Sequence, residues 1–267
     1  MAKKNRIMYY HDEVNDDFVK TKTNIDTVLD ENYQYLITSH VRKFFSFILY
    51  YFIALPILFV EGKVFRGLKI KGKKNLRAVK KKGYIMYANH TDFRDAYLGH
   101  VFIANPKRTY IIANKDAVSI FFVRRLTKDL GALPVPDTLG GLKNLNSSVT
   151  QILGEKKALM IFPEAHIWPY YTKVRPFPVT SFRYAAINNV PCVPVAATYR
   201  KHKGLFFFRK KPQMVVYVGK PIFPNQDLSV KESAMKLRDE TYEYICQMTE
   251  KYSTYEYYKY IKKKNKK

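Results

Sequence analysis

Tyr84-Ile85-Met86-Tyr87-Ala88-Asn89-His90-Thr91-Asp92-Phe93-Arg94-Asp95 is the stretch on which the reading of this chain turns. Its first residues form an unbroken apolar run of strand length, which suits a strand covered on both faces, as in a parallel sheet. The run gives way to a polar block in which a histidine and an aspartate stand five positions apart, HxxxxD. In a continuous helix five positions turn roughly 500° and splay the side chains, so the pair can meet only if His90 lies at or before the helix start. Asp92 suits the N-cap of that helix. Asp95, in its first turn, then reaches back to one nitrogen of His90 and leaves the other to take a proton from an incoming hydroxyl. Strand-to-helix junctions also collect such residues as plain caps, and the rest of the chain has to decide between the two readings.

Outward from this block, short apolar runs alternate with amphipathic segments. Strands are predicted at Tyr84 to Ala88, Thr109 to Ala113, Ala158 to Phe162, Cys192 to Thr198 and Met214 to Val218. Helices are predicted at Asp95 to Ile103, Asp116 to Leu126, Leu142 to Gly154, Ser181 to Asn188 and Val230 to Tyr252. The alternation predicts an α/β fold, a mostly parallel central sheet flanked by helices, with a site outside the carboxyl ends of the strands. His90 falls at such an end, and so does Glu164.

The chain has 267 residues and a formal charge of +25, from 47 Lys and Arg against 22 Asp and Glu. An excess of this size calls for a polyanionic neighbour, either nucleic acid or an anionic membrane surface. The run Phe44 to Val60 carries no charge at all, which points to the membrane and leaves nucleic-acid binding without a reason for the HxxxxD block. The run is at the short edge of a span and contains Pro56, so a tilted span, a re-entrant or interfacial anchor and a buried core helix all stay open. Basic residues flank it on both sides, Arg42 and Lys43 before, Lys63, Arg66 and Lys69 after. Cys192 and Cys246 lie far apart without CxxC spacing, so a disulfide framework or zinc site is not indicated, and a reducing compartment fits.

These features predict four parts: residues 1–43, a polar helical extension; 44–64, the apolar membrane anchor; 65–225, the α/β domain; and 226–267, a C-terminal helix and basic tail, Lys262-Lys263-Lys264-Asn265-Lys266-Lys267. The basic linker Lys69 to Lys82 reads as a solvated face or as a further attachment to an anionic leaflet.

A second constellation, Phe162-Pro163-Glu164-Ala165-His166-Ile167-Trp168-Pro169-Tyr170-Tyr171, follows the run Ala158 to Phe162. Proline ends the strand and leaves a carboxylate, an imidazole and the only tryptophan on a loop. An aromatic-packed loop with a salt-bridged Glu164 is the plain alternative. A metal site built from His90, Asp95, Glu164 and His166 matches no compact ligand spacing, so no metal is expected.

Taken together, Asn89-His90 through Asp95, Gly131-Ala132-Leu133-Pro134-Val135, Phe162-Pro163-Glu164 and Val190-Pro191-Cys192-Val193-Pro194 resemble, in order and spacing, the blocks of the bacterial-type glycerolipid acyltransferases. The resemblance spans about residues 65 to 225. It implies acyl transfer from acyl-CoA or acyl carrier protein to a hydroxyl of a lysophospholipid, such as 1-acylglycerol 3-phosphate, with no bound cofactor. It further implies His90 as general base, Asp95 as its orienting carboxylate, and a location at the cytoplasmic face of the cell membrane, among membrane lipids and away from nucleic acid. Asn89, Arg94, Glu164, His166, Lys173 and Arg175 are the residues expected to meet substrate. Two blocks depart from the pattern: Val135-Pro136-Asp137 and Glu164-Ala165-His166-Ile167 stand where the family usually carries an arginine. Both arginines would be assigned to the acceptor's phosphate, so a divergent acceptor, a clamp relocated to Lys173, Arg175 and Arg183, or a catalytically idle lipid-binding relative is expected.

Overall fold

The computed structural model describes residues 6–19, 28–115 and 121–263. Nine strands are present among them: β1 (Ile7–Tyr10), β2 (Lys69–Lys71), β3 (Tyr84–Ala88), β4 (Thr109–Ala113), β5 (Ala132–Pro134), β6 (Ala158–Ile161), β7 (Cys192–Arg200), β8 (Gln213–Val218) and β9 (Lys259–Lys262). Seven form one sheet in the order β2-β8-β7-β3-β6-β4-β5. Every pairing in it is parallel except β7 with β8. The five predicted strands match β3, β4, β6, β7 and β8 to within two residues at either end.

The pleat of β3 shows why the run at its centre has no polar position. Tyr84, Met86 and Ala88 enter one core layer, Ile85 and Tyr87 the other, and all five are buried. Successive strand side chains point to opposite faces, and here both faces are covered. On the first face lie a long helix α1 (His40–Phe65) and the helical stretch after His90. On the second lie α3 (Leu139–Gly154), which follows α2 (Phe121–Leu130), and α5 (Val230–Tyr252), which follows the short α4 (Arg183–Ile187). Thr138 caps α3 by accepting from Gly141 N, and Ser229 caps α5 in a reciprocal box with Glu232. The predicted helix Asp95 to Ile103 is a 3-10 turn, Phe93–Tyr97, widening into Leu98–Ile103. Of the predicted helix Asp116 to Leu126, residues 116–120 lie outside the described ones, and the helix runs on to Leu130.

Helix α1 contains the uncharged run whole and extends it at both ends. It is long and apolar enough to cross a membrane, and only 17% of its most apolar window is buried, unlike a core helix, which is mostly buried. Val41, Phe44, Phe45, Phe52, Ile57 and Phe65 are exposed, each by 61% or more. Its other side is docked: Tyr50 and Leu55 are buried, Arg42 pairs with Asp129 at 2.9 Å, and Gly62 lies so close to the Phe102 ring that a Cβ there would stand 2.4 Å from it.

Two expectations are corrected. The described residues before His40 form no helix; they hold irregular chain and β1, which pairs in parallel with β9. The basic linker is no linker either. Lys69 and Lys71 alternate with Ile70 in the edge strand β2, where outward lysines protect an open edge, and a 3-10 turn, Lys73–Val79, buries Leu76 and Val79. The basic tail is described only to Lys263.

Candidate active site

Strand β3, fourth in the seven-stranded sheet, delivers His90 just past its carboxyl end, and β6 beside it delivers Glu164. Asn89 fixes the exit. Its side-chain amide donates to the Ala197 carbonyl at 3.0 Å and its oxygen accepts from Ala197 N at 2.8 Å, which locks the end of β3 to β7. Asp92 then caps the turn, accepting from Arg94 N at 3.1 Å. The fully buried Asp95 is oriented with one oxygen, Oδ2, toward three groups: Thr91 N at 2.7 Å, Asp92 N at 2.8 Å and His90 Nδ1 at 3.3 Å. The other nitrogen of His90, Nε2, has no hydrogen-bond partner among the described residues, and the side chain is 14% exposed. Its ring stacks on Phe162 at 4.2 Å and 19° between planes. An imidazole held on one nitrogen, clamped on one face and unpartnered at the other nitrogen has the geometry that a general base requires.

The loop after β6 is sewn to this turn by its backbone. Trp168 N donates to His90 O at 3.1 Å and Tyr170 N to Thr91 O at 2.9 Å. Glu164 completes the stitching: Oε2 accepts from His90 N at 3.0 Å and from Arg175 Nη2 at 3.2 Å, and Oε1 accepts from Arg175 N at 2.9 Å. Glu164 and Arg175 are both buried, and the guanidinium lies 5.0 Å from the Trp168 ring. Burial pushes the Glu164 carboxyl above the ordinary range, while Arg175 and the two backbone donors pull it down. Burial and the neighbouring Asp95 push Asp92 up as well, opposed by Arg94.

Beside the HxxxxD turn opens a cleft of about 490 Å3. The imidazole is not among its lining groups; Asp92 and Arg94, from the same turn, are. Arg66, Arg209, Lys210 and Lys211 bring further cations to the wall. Arg94 pairs with Asp92 at 3.0 Å and approaches Glu61 at 3.4 Å, and Arg66 also pairs with Glu61. Tyr97, whose hydroxyl donates to Glu61, lines both this cleft and a second, almost wholly apolar cavity of about 270 Å3 between α1, β4 and the Ala96 to His100 turn.

Of the residues expected to meet substrate, Arg94 lines the cleft. Asn89, Glu164 and Arg175 face inward: Asn89 ties β3 to β7, and Glu164 with Arg175 holds the two site loops together. His166 is half-exposed and faces Asp17 at 3.5 Å, and Lys173 and Arg183 are exposed on the surface. Of the expected relocated clamp, Arg175 is 1% exposed and pairs with Glu164 at 3.2 Å, so its guanidinium lies in the interior and not on the wall of the cleft. Arg66 and the Arg209 to Lys211 cations line the cleft without being among the expected residues; for the latter, the signal in the sequence is the run Lys201-His202-Lys203-Gly204-Leu205-Phe206-Phe207-Phe208-Arg209-Lys210-Lys211 between two strands. Among the described residues no group of three or more His, Cys, Asp or Glu side chains is placed to hold a metal ion.

Residues 67–198 match the model of the family described as Acyltransferase. The fold is similar to that of the 1-acyl-sn-glycerophosphate (LPA) acyltransferase PlsC from Thermotoga maritima, with a TM-score of 0.50 at 18% identity, over 76% of this chain and 87% of that one. The curated proteins contain no match. The matched segment, just under half of the chain, carries the His90 turn, β6 and the Glu164 loop, so it is similar to the Acyltransferase family over the part that builds this site, and one helix long and apolar enough to cross a membrane stands directly before it.

Proposed function

We propose that the protein transfers a fatty acyl group from a thioester, acyl-CoA or acyl carrier protein, to a hydroxyl of a lysophospholipid, with His90 as general base. The observation that carries this reading is the pairing of His90 Nδ1 with a buried Asp95 while Nε2 stays unpartnered. The acceptor hydroxyl gives its proton to Nε2 as its oxygen attacks the thioester carbonyl carbon. The tetrahedral intermediate collapses by breaking the carbon–sulfur bond, and the imidazolium returns the proton to the departing sulfur. Asp95 keeps Nδ1 protonated throughout and stabilises the imidazolium.

The acceptor's charge fits the cleft. Arg66 and Arg94 are balanced by Glu61 and Asp92, but Arg209, Lys210 and Lys211 leave the wall cationic, which suits a phosphate-bearing lysolipid such as 1-acylglycerol 3-phosphate. The apolar cavity that shares Tyr97 with the cleft suits a hydrocarbon chain. Helix α1 supports delivery from the bilayer. About 39 Å long at 1.5 Å per residue, it is docked on the domain from Arg42 to Gly62, and so it lies along the leaflet that the domain faces, with its phenylalanine-rich side in lipid. We place the domain on the cytoplasmic face, where acyl-CoA and acyl carrier protein are found.

The test is transfer of labelled acyl groups from both donors to lysophosphatidate and to phosphate-free hydroxyl lipids by the purified full chain. Transfer that favours lysophosphatidate, with KM raised when Lys210 and Lys211 are changed to Gln, supports the reading. Failure to acylate any lysolipid or hydroxyl lipid refutes it.

A further inference from the structure

The connection between β7 and β8 carries Lys201-His202-Lys203-Gly204-Leu205-Phe206-Phe207-Phe208-Arg209-Lys210-Lys211-Pro212, three consecutive phenylalanines among five Lys and Arg with no acidic residue. Phe207 is 77% exposed and Phe208 68%. A water-facing hairpin tip gains nothing from two such rings, and exposed aromatics set among cations are the composition of a lipid headgroup boundary.

The hairpin's position adds a second observation. Arg209 donates to the carbonyls of Phe65 and Val64, the last residues of α1, and its guanidinium lies 4.2 Å from the Phe206 ring. A single arginine thereby caps the end of the apolar helix and ties the hairpin to it. Val64 and Phe65 are themselves 55% and 65% exposed, so the apolar surface of α1 continues onto the hairpin. Phe65 and Phe208 both line the cationic cleft, together with Arg209, Lys210 and Lys211.

We propose that the β7–β8 hairpin is a second membrane-contact element: Phe207 and Phe208 enter the headgroup boundary of an anionic bilayer, Lys210 and Lys211 engage its lipid phosphates, and Arg209 holds the hairpin to α1. With α1 and the hairpin both seated, the cleft mouth opens onto the leaflet, and a lysolipid reaches the His90 turn without crossing water. The inference rests on the membrane association of the chain and not on the reaction it catalyses.

Because the readout is depth in the bilayer, it separates from any failure of acyl transfer. An environment-sensitive fluorophore is attached to Phe207→Cys in full-length protein carrying Cys246→Ser, and in parallel to Ile57→Cys on the exposed side of α1. Each is mixed with phosphatidylglycerol–phosphatidylcholine vesicles containing lipids with a nitroxide high on the acyl chain. Quenching at both positions is expected, as is a roughly tenfold weaker vesicle affinity for Phe207→Ser, the scale of one phenylalanine withdrawn from lipid. Quenching at 57 without quenching at 207 overturns the proposal, as does an unchanged affinity of Phe207→Ser. Quenching at neither position overturns it together with the membrane reading of α1.

Discussion

Glu164 and Arg175 make the sharpest energetic claim available in this structure. Both are buried, and the carboxylate serves three donors: His90 N, Arg175 N and Arg175 Nη2. Arg175→Met leaves the carboxylate with two backbone donors and no countercharge. Glu164→Gln leaves a guanidinium buried beside Trp168 with no carboxylate. Removing one member of a buried ion pair costs about 3–5 kcal/mol, whereas replacing both members by well-packed groups is close to neutral. Each single variant should therefore lose about 3–5 kcal/mol, or roughly 6–20 °C in Tm at about 2–4 °C per kcal/mol for a chain near this size. The double variant should recover most of that, because Gln still accepts from His90 N and Met still covers Trp168. The assay is a double-mutant cycle by denaturant unfolding of the full chain in detergent, with a coupling energy of at least about 4 kcal/mol expected, because two losses of about 3–5 kcal/mol each combine into a nearly neutral double variant. Losses that add to within about 0.5 kcal/mol would refute the reasoning. So would a Glu164→Gln protein of unchanged Tm and raised KM, which is the signature of a residue that touches the acceptor.

Asp95→Asn should lower kcat by about 10³- to 10⁴-fold, the loss seen when the orienting carboxylate of a comparable Asp–His pair is neutralised; steady-state kinetics and a melting curve should show that loss with little change in Tm. Asn89→Ala strands both the N–H and the carbonyl of Ala197 in the interior and should cost about 2–4 kcal/mol in denaturant unfolding. His100 is fully enclosed, and burial, with Arg108 nearby, lowers its pKa from 6.5 to about 3. The folded state then refuses a proton that the unfolded chain accepts, so its contribution is complete above pH 6.5 and is lost as pH falls toward 3. From pH 7 to pH 5 this amounts to about 2 kcal/mol, a slope that unfolding of His100→Gln should lack.

Much of this architecture is legible in the sequence because it is local. Tyr84 to Ala88 announces a doubly covered strand by having no polar position, and the spacing from His90 to Asp95 lets the pair meet only with His90 ahead of the helical turn, which is where it stands. What stayed hidden depends on partners distant in sequence. Ile7–Tyr10 has no strand partner within 240 residues and becomes one only beside Lys259–Lys262. Lys69 and Lys71 read as solvated charge because an edge strand that carries lysine outward has the composition of a linker. Arg175 looked like a phosphate ligand because burial of an arginine against Glu164 and Trp168 is a tertiary event that charge alone does not reveal. The wall of the cleft assembles from the end of α1, the His90 turn, Tyr170 of the loop after β6 and the β7–β8 connection, segments with no shared motif.

The most direct test of His90 as the base is acyl transfer to lysophosphatidate from labelled acyl-CoA and acyl carrier protein by wild type and His90→Ala, read together with their melting curves. A transfer rate reduced about 10²- to 10⁴-fold in a variant that melts like wild type is the expected result. Transfer that persists in His90→Ala, or a wild-type protein that acylates no lysolipid, would contradict it.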